Sequence, residues 1–435
     1  MNHPQKIRPL ANAYVEVARS DSPLTHYHGS CSVCVMPDGN LIASYNHGGP
    51  DYWMRDGFYA EACISADGGK TWENTLHHRL NHARAFRAGG KVYILGQLAT
   101  EGIIANPDGT KRIKNGHKMG DIAVVCSADN GRTWGEQARL THGERWHQAP
   151  SNVWYKDGYV YLVMEKAVYD AMNCWNVNEL APVLMRARET DDLTRAESWT
   201  FAEAPAFRDM IDFSKTDYFG IPYYATPEND EAVLAPHRRC APMGWLETQV
   251  VQILDPDHNW YDPNGKTLHL IARAHTGLTG YACVVKVTEN DDGTMTTGFV
   301  YAPSGKKHFY IPLPGGQMKF HIVYDAQTKL YWLLSTQATD SMIRVDRMPD
   351  DRFGLPDNER QRLVLHFSRN CIDWCFAGVV AQEQHPKCSR HYASMDIDGD
   401  DLVILSRSGD ENAQSAHNGN IVTFHRVKDF RGLVY

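Results

Sequence analysis

One element recurs along this chain and restricts its fold more than any other: an apolar strand, a tight turn, and a second apolar strand. The first copy runs through residues 32–36, turns at Pro37-Asp38-Gly39-Asn40, and returns through 41–45. Later copies turn at Ala88-Gly89-Gly90-Lys91, Lys156-Asp157-Gly158-Tyr159, Asp262-Pro263-Asn264-Gly265, residues 325–329 and Asp398-Gly399-Asp400. Asp-Gly and Asn-Gly close hairpins because both residues tolerate positive φ. A third apolar strand often follows. Six hairpins at a spacing of roughly 70 residues predict an all-β, six-bladed β-propeller with four antiparallel strands per blade. Its 435 residues then form one domain, residues 1–435, although length alone would suggest two or three. The last blade ends near residues 421–427, and residues 13–18 are expected to add its outer strand and close the ring. Residues 205–244 fit no blade and read as an insertion rich in Pro, Tyr and acidic residues.

Two turns carry the pattern S-x-D-x-G-x-T-W without a mismatch: Ser65-Ala66-Asp67-Gly68-Gly69-Lys70-Thr71-Trp72 and Ser127-Ala128-Asp129-Asn130-Gly131-Arg132-Thr133-Trp134. Residues 368–374 are a worn copy, and 188–199 a more worn one. The Ser and Asp can bond the backbone of their own turn, the Gly takes a conformation closed to other residues, and the Trp packs beneath. The pattern is structural and carries no chemistry.

Composition excludes several partners. A net charge of -8, with no basic stripe, argues against nucleic acid. No window is apolar enough to span a membrane, and residues 1–19 hold no signal-peptide stretch. The chain as it stands is expected in the cytoplasm, or in the periplasm or outside the cell if a leader has been removed. The ten cysteines show no repeated C-x-x-C; Cys31 and Cys34 would point to opposite faces of one strand, and all read as buried thiols. No cofactor is expected. Metal is disfavoured as well: His78 and His82 have H-x-x-x-H spacing but lie on strand and loop, and His26, His28 and His77 read as edge residues.

Propeller geometry sorts the remaining polar residues. The start of each inner strand and the end of the next share one face. The starts hold His26, His28, Arg84, His147, Glu247, Lys319, His391 and Tyr392. The ends hold Asn46, His47, Gln97, Glu165, Arg273, Gln337 and Arg407. Core packing would not choose a polar set at equivalent points of six blades. Its carboxylates, imidazoles, phenol and cations suit acid–base chemistry on an anionic or polyhydroxylated substrate.

Two segments resemble the sialidase (neuraminidase) superfamily, and the complete turn patterns match its Asp-box, or BNR, repeats. Leu246-Glu247-Thr248-Gln249-Val250-Val251-Gln252, followed by Leu270-Ile271-Ala272-Arg273, is similar to E-x-Q-V-V-E-L … L-x-x-x-R. His391-Tyr392-Ala393-Ser394, followed by Asp398-Gly399, is similar to Y-S-x-L … DG. The resemblance implies Tyr392 as nucleophile, Glu247 as its base, and Arg273 as one of three arginines gripping the substrate carboxylate. A neutral Tyr attacks beside a carboxylate without the repulsion an Asp or Glu would meet. The chain departs from the pattern in places. His28-Gly29-Ser30 stands where sialidases read R-I-P, Lys319 stands in place of the third arginine, and Asp51 matches the acid/base Asp by position alone. A three-arginine clamp is therefore expected to be absent, as in divergent bacterial sialidase-like proteins.

Three functions compete. The first is an exo-acting glycoside hydrolase on a terminal sugar, acidic or neutral, other than sialic acid itself. Glu247 and Glu165 would be its carboxylates, Tyr392 nucleophile or orienter, and Arg273 and Lys319 the anion grip, with His28, His391, Arg407, Arg84 and Gln97 lining the substrate. The second is a polysaccharide lyase cleaving a rhamnose–glucuronate type of linkage by β-elimination, with His147 or Tyr392 as base. The third is a glycan-binding propeller without catalysis.

Overall fold

The computed structural model describes residues 7–53, 58–98, 103–105, 111–113, 119–169, 177–211, 232–235, 238–240, 244–275, 281–338, 347 and 359–435. Six antiparallel sheets follow one another along the chain. Blade 1 is Tyr27–Val35, Leu41–Gly48, Ala60–Ser65 and Glu73–His78, from the axis outward. Blade 2 is Asn81–Ala88, Lys91–Gln97, Ile122–Ser127 and Ala138–Arg139. In blade 3 the innermost strand is broken into Trp146–His147 and Trp154–Lys156, both paired to Tyr159–Ala167, with Leu180–Arg188 and Thr200–Phe201 outside. Blade 4 is Gly244–Val251, Thr267–His275, Tyr281–Glu289 and Met295–Gly298. Blade 5 is His321–Asp325, Leu330–Thr336, Arg362–Ser368 and Cys375–Gln382. Blade 6 has Arg390–Asp398, Asp401–Ser408 and Ile421–Val427.

The fourth strand of blade 6 is Val15–Arg19, from the other end of the chain, with Arg19 opposite Ile421 and Val15 opposite Phe424. Just before it, the amides of Leu10 and Ala11 donate to the carbonyls of Val379 and Val380 at 2.8 Å each, so the same segment also ties down blade 5. The expected closure is therefore present, one or two residues further along than the sequence suggested.

Apolar alternation explains where the core lies. Each strand shows side chains to both faces of its blade, and the faces of adjacent blades meet. Cys31 packs with Val403, Leu405 and Phe424 of blade 6, while Cys34 packs with Ala83, Ala85 and Ile94 of blade 2. The described cysteines are free thiols. Most of the 205–244 segment (212–231, 236–237 and 241–243) lies outside the described residues. Its beginning forms the short helix Phe207–Met210, which buries Phe207 against Trp245. Among the described residues no helix is long and apolar enough to cross a membrane.

The Ser-Asp-Gly-Trp turns lock themselves. Asp67 Oδ1 accepts from the amides of Lys70 and Thr71, and Ser65 Oγ accepts from Gly69 N at 2.9 Å. Thr71 Oγ1 donates to Asp67 Oδ2, and these bonds hold the Asp67 carboxyl down at about 2. Asp129 does the same for Arg132 and Thr133. Gly69 has φ of 92°, and a Cβ there would lie 2.1 Å from the ring of Phe424. Gly69→Ala should therefore cost about 2 kcal/mol or more in urea unfolding, from backbone strain plus overlap. Gly39→Ala, at φ of 82° with open space around it, should cost only about 1–2 kcal/mol.

Candidate active site

The ladders bring strand starts and strand ends together on one face. His28 lies opposite His47, Asn81 opposite Gln97, His147 opposite Glu165, Leu246 opposite Arg273 and His391 opposite Arg407. A second feature re-aims the inner strands. Register shifts occur between Gly29 and Ser32, Asn81 and Arg84, Leu246 and Gln249, and His391 and Ser394. Each bulge holds one non-glycine residue in the left-handed region: Ser30 (φ 50°), His82 (φ 53°), Glu247 (φ 59°) and Tyr392 (φ 48°). Such a conformation costs about 1–2 kcal/mol per residue and persists where the surroundings over-determine it. It recurs at one level of four blades, which makes that level the candidate site.

Tyr392 is the hub of one half of this level. Arg273 Nη1 donates to the Tyr392 hydroxyl at 3.1 Å and to Glu247 Oε2 at 3.2 Å. Arg273 is anchored in turn by its Nε, which donates to the Gln317 carbonyl at 2.7 Å. The guanidinium carbons of Arg407 and Arg360 lie 5.3 and 5.5 Å from the centre of the Tyr392 ring. Burial, and then the Glu247 carboxyl, push the Tyr392 phenol upward, while the three arginines oppose that shift. Burial and the neighbouring Arg360 push Arg407 down to about 10.

The expected departures at residues 28–30 and at Lys319 stand in the sequence, yet two other arginines lie near Tyr392 beside Arg273. Three guanidiniums gather on Tyr392, but Arg360 and Arg407 come from other places in the blades than the family pattern led one to search. Arg360 was missed altogether. It precedes the third strand of blade 5, outside the rule that reads only inner-strand starts and second-strand ends. His391, buried beside Tyr392, accepts from Arg360 Nη1 at 2.7 Å through Nδ1 and so orients that arginine. Burial, and then Arg360, hold its imidazole well below its ordinary range.

Three further ionisable residues are equally buried. Lys319 is only 2% exposed and donates to the Ala393 carbonyl at 2.6 Å, next to Tyr392. Burial pushes its amine down to about 7. This bond ties Lys319 to the strand that carries Tyr392. Arg84 donates to Ser151 Oγ and to the Val163 carbonyl at 2.8 and 3.0 Å, and burial lowers it to about 10. Glu165 accepts from the Thr248 amide at 2.9 Å, and burial raises its carboxyl to about 8. The shift favours the protonated form of this carboxyl.

The Glu165 shift has a measurable sign. Its folded-state value lies above the ordinary 4.5, so the folded chain keeps a proton that the unfolded chain releases between those values. Stability from this group is therefore lost as pH rises through that window. Glu165→Gln cannot lose a proton. Its stability relative to the parent should climb from about pH 5, level off above about pH 8, and gain at most a few kcal/mol. Parallel urea titrations of the two proteins measure that difference, in which the buried histidines and Lys319 cancel.

The other half of the level is imidazole-rich. His82 Nδ1 bonds Ser30 Oγ across blades 1 and 2. The His82 and His147 rings meet edge to face at 4.7 Å, and Gln97 Nε2 reaches His147 Nδ1 at 3.5 Å. His82 had been weighed only as half of an H-x-x-x-H pair; no periodic pattern reveals that a bulge turns it inward. Asp51 lies apart from Tyr392 in its bonding: it accepts from Thr25 Oγ1 at 2.7 Å. His28 is buried at the edge of blade 1, with Asn46 and His47 beside it. Gln337 is exposed at the blade rim.

No protein-family model matches the chain, and no curated protein matches it. Solved structures do match in shape. A Hadza microbial sialidase aligns with a TM-score of 0.53 at 13% identity, over 95% of this chain and 68% of its own. A Trypanosoma rangeli sialidase in complex with 2,3-difluorosialic acid, described as a covalent intermediate, aligns with a TM-score of 0.53 at 13% identity, over 98% of this chain and 60% of its own. The fold is the sialidase-type propeller. An α-L-arabinanase from Penicillium chrysogenum, solved with arabinobiose, has the same propeller, with a TM-score of 0.50 at 12% identity over 98% of this chain and 100% of its own. At these identities the sialidase-type propeller is a statement about architecture, and any activity must be argued from the site.

Proposed function

We propose that this chain is an exo-acting glycoside hydrolase that removes a terminal acidic sugar other than sialic acid itself. One observation carries the reading: a single guanidinium, Arg273, joins the hydroxyl of Tyr392 to the carboxyl of Glu247. In that arrangement Tyr392 attacks the anomeric carbon as the glycosidic C–O bond breaks and the aglycone leaves with a proton from solvent. Glu247 receives the phenol proton, and water then cleaves the tyrosyl–sugar bond and restores the phenol. Arg273 holds both in line and favours the developing phenolate. Arg360 and Arg407 flank the ring, where they supply positive charge for a substrate carboxylate. Structural relatives with this propeller include sialidases and an α-L-arabinanase, which supports hydrolysis of a glycosidic bond as the general chemistry. Glu165, Lys319 and Arg84 serve in this reading as buried support for the site.

A second reading draws on the His82–His147 pair opposite the arginines. An imidazole or phenol base facing a guanidinium cluster also suits β-elimination from a uronate, with the cations neutralising its carboxylate. The deciding experiment is a panel of plant, algal and host glycans, followed by chromatography of released sugar and by absorbance of unsaturated uronates. Free saturated sugar, abolished in Glu247→Gln, supports the hydrolase. New absorbance, abolished in His147→Ala, replaces it with the lyase, and binding of a glycan without turnover overturns both in favour of a recognition module.

A further inference from the structure

Blade 1 carries a row of titratable side chains along its upper edge that the proposed hydrolysis does not use. His28 and His47 are register partners on its first two strands, His26 immediately precedes the first, and Glu61 and His77 are register partners on the last two. Ring centres of His26, His28 and His47 lie 4.9, 4.9 and 5.3 Å apart. One nitrogen from each of the three falls within 4.8 Å of the others.

We propose that His26, His28 and His47 form a binding site for a divalent transition-metal ion of the zinc class. Three arguments converge. First, a tetrahedral ion with metal–nitrogen bonds near 2.0–2.1 Å needs its nitrogens about 3.3 Å apart, a small adjustment from this spacing. The His26 Nε2 to His47 Nδ1 separation of 2.7 Å would widen slightly, and the reach to His28 would shorten. Second, His47 is oriented as a ligand. Its Nε2–H donates to Glu61 Oε1 at 3.0 Å, which leaves the lone pair on Nδ1 facing the other two rings. A carboxylate behind a histidine is the usual outer partner of a metal-bound imidazole. Glu61 is itself held by Asn74 Nδ2 and His77 Nδ1, so the orienting group is fixed.

Third, His28 is 2% exposed, and among the described residues one of its two ring nitrogens is left without a hydrogen-bond partner. The Arg19 backbone takes the hydrogen bond of the other. A buried imidazole nitrogen left without a partner costs free energy that a bound ion would recover. His26 is only partly buried, which gives an ion an entry path and leaves its fourth coordination position toward solvent. Neutral imidazoles suit zinc, copper or nickel rather than calcium or magnesium. Binding at Nε2 of His26 moves that ring's proton to Nδ1, so no net proton is released.

A second set, His47, Glu61 and His77, shares His47 and competes for the same ion. It is the weaker candidate. The His77 side chain is 55% exposed and stacks on Tyr59, and ligation there would consume the carboxylate that orients His47.

The test uses the full chain without a polyhistidine tag, stripped with chelator and titrated with Zn²⁺ against a chromophoric competitor. The expected result is one Zn²⁺ per chain, bound at least 100-fold more weakly by His26→Ala and about 10–100-fold more weakly by Glu61→Gln. His77→Ala should bind as the parent does. Co²⁺ substitution should give the intense visible bands of a four-coordinate site, absent in His26→Ala. Because His26 is partly exposed, that variant should melt with the metal-free parent, which separates loss of a ligand from loss of the fold. Failure of the parent to bind stoichiometrically overturns the proposal, as does binding that survives His26→Ala and disappears in His77→Ala.

Discussion

Tyr392→Phe should leave the propeller intact and reduce turnover of its glycan by about 10³-fold or more, with little change in KM. The substitution removes one oxygen. The ring remains to pack between Arg360 and Arg407, and the backbone keeps its left-handed φ of 48°. What disappears is the atom placed to attack, together with its 3.1 Å bond to Arg273. Glu247→Gln should produce a loss of similar size for a different reason, since an amide occupies the same space but cannot take the phenol proton. Steady-state kinetics of both variants, with a thermal melt of each, measure this. Full turnover in Tyr392→Phe would remove Tyr392 from the chemistry and leave it a packing residue.

Arg273→Lys should lower kcat/KM by about 10²–10³-fold even though the charge is kept. The guanidinium serves three acceptors: Gln317 carbonyl through Nε, and Glu247 and Tyr392 through Nη1. A lysine ammonium is a single point and cannot span them. Arg273→Ala should go further and destabilise the fold by about 3–5 kcal/mol. The Glu247 side chain is 3% exposed and would be left as a buried carboxyl without its partner. Kinetics on the lysine variant and urea unfolding of the alanine variant read the two effects separately. A lysine variant with parental kcat/KM would show that Arg273 acts only in packing.

Much of the frame was legible before any coordinates. Five of the six turns were readable because Asp-Gly, Asn-Gly and Gly-Gly announce hairpins locally, the turn at 325–329 from its flanking strands alone, and the closing strand because blade 6 lacked a partner for residues 421–427. Glu247, Arg273 and Tyr392 were found by motif, and they do come together. The register rule also placed His147 opposite Glu165 and His391 opposite Arg407. Lys319, Arg84 and Glu165, placed by the same rule, are as deeply buried as Glu247 and Arg273.

Sequence by itself determined the number of blades, their hairpins, and the ring's closure, because strand alternation and turn chemistry depend on neighbours within a few residues. It also identified the Glu247, Arg273 and Tyr392 set. Only the tertiary structure decided which polar side chains share that set. Four bulges rotate Ser30, His82, Glu247 and Tyr392 out of alternation, and a one-residue slip of that kind reverses the face a side chain shows. Arg360 reaches Tyr392, and His26 reaches His47, only because ring closure and strand pairing bring distant segments to one level, a distance that no local pattern encodes.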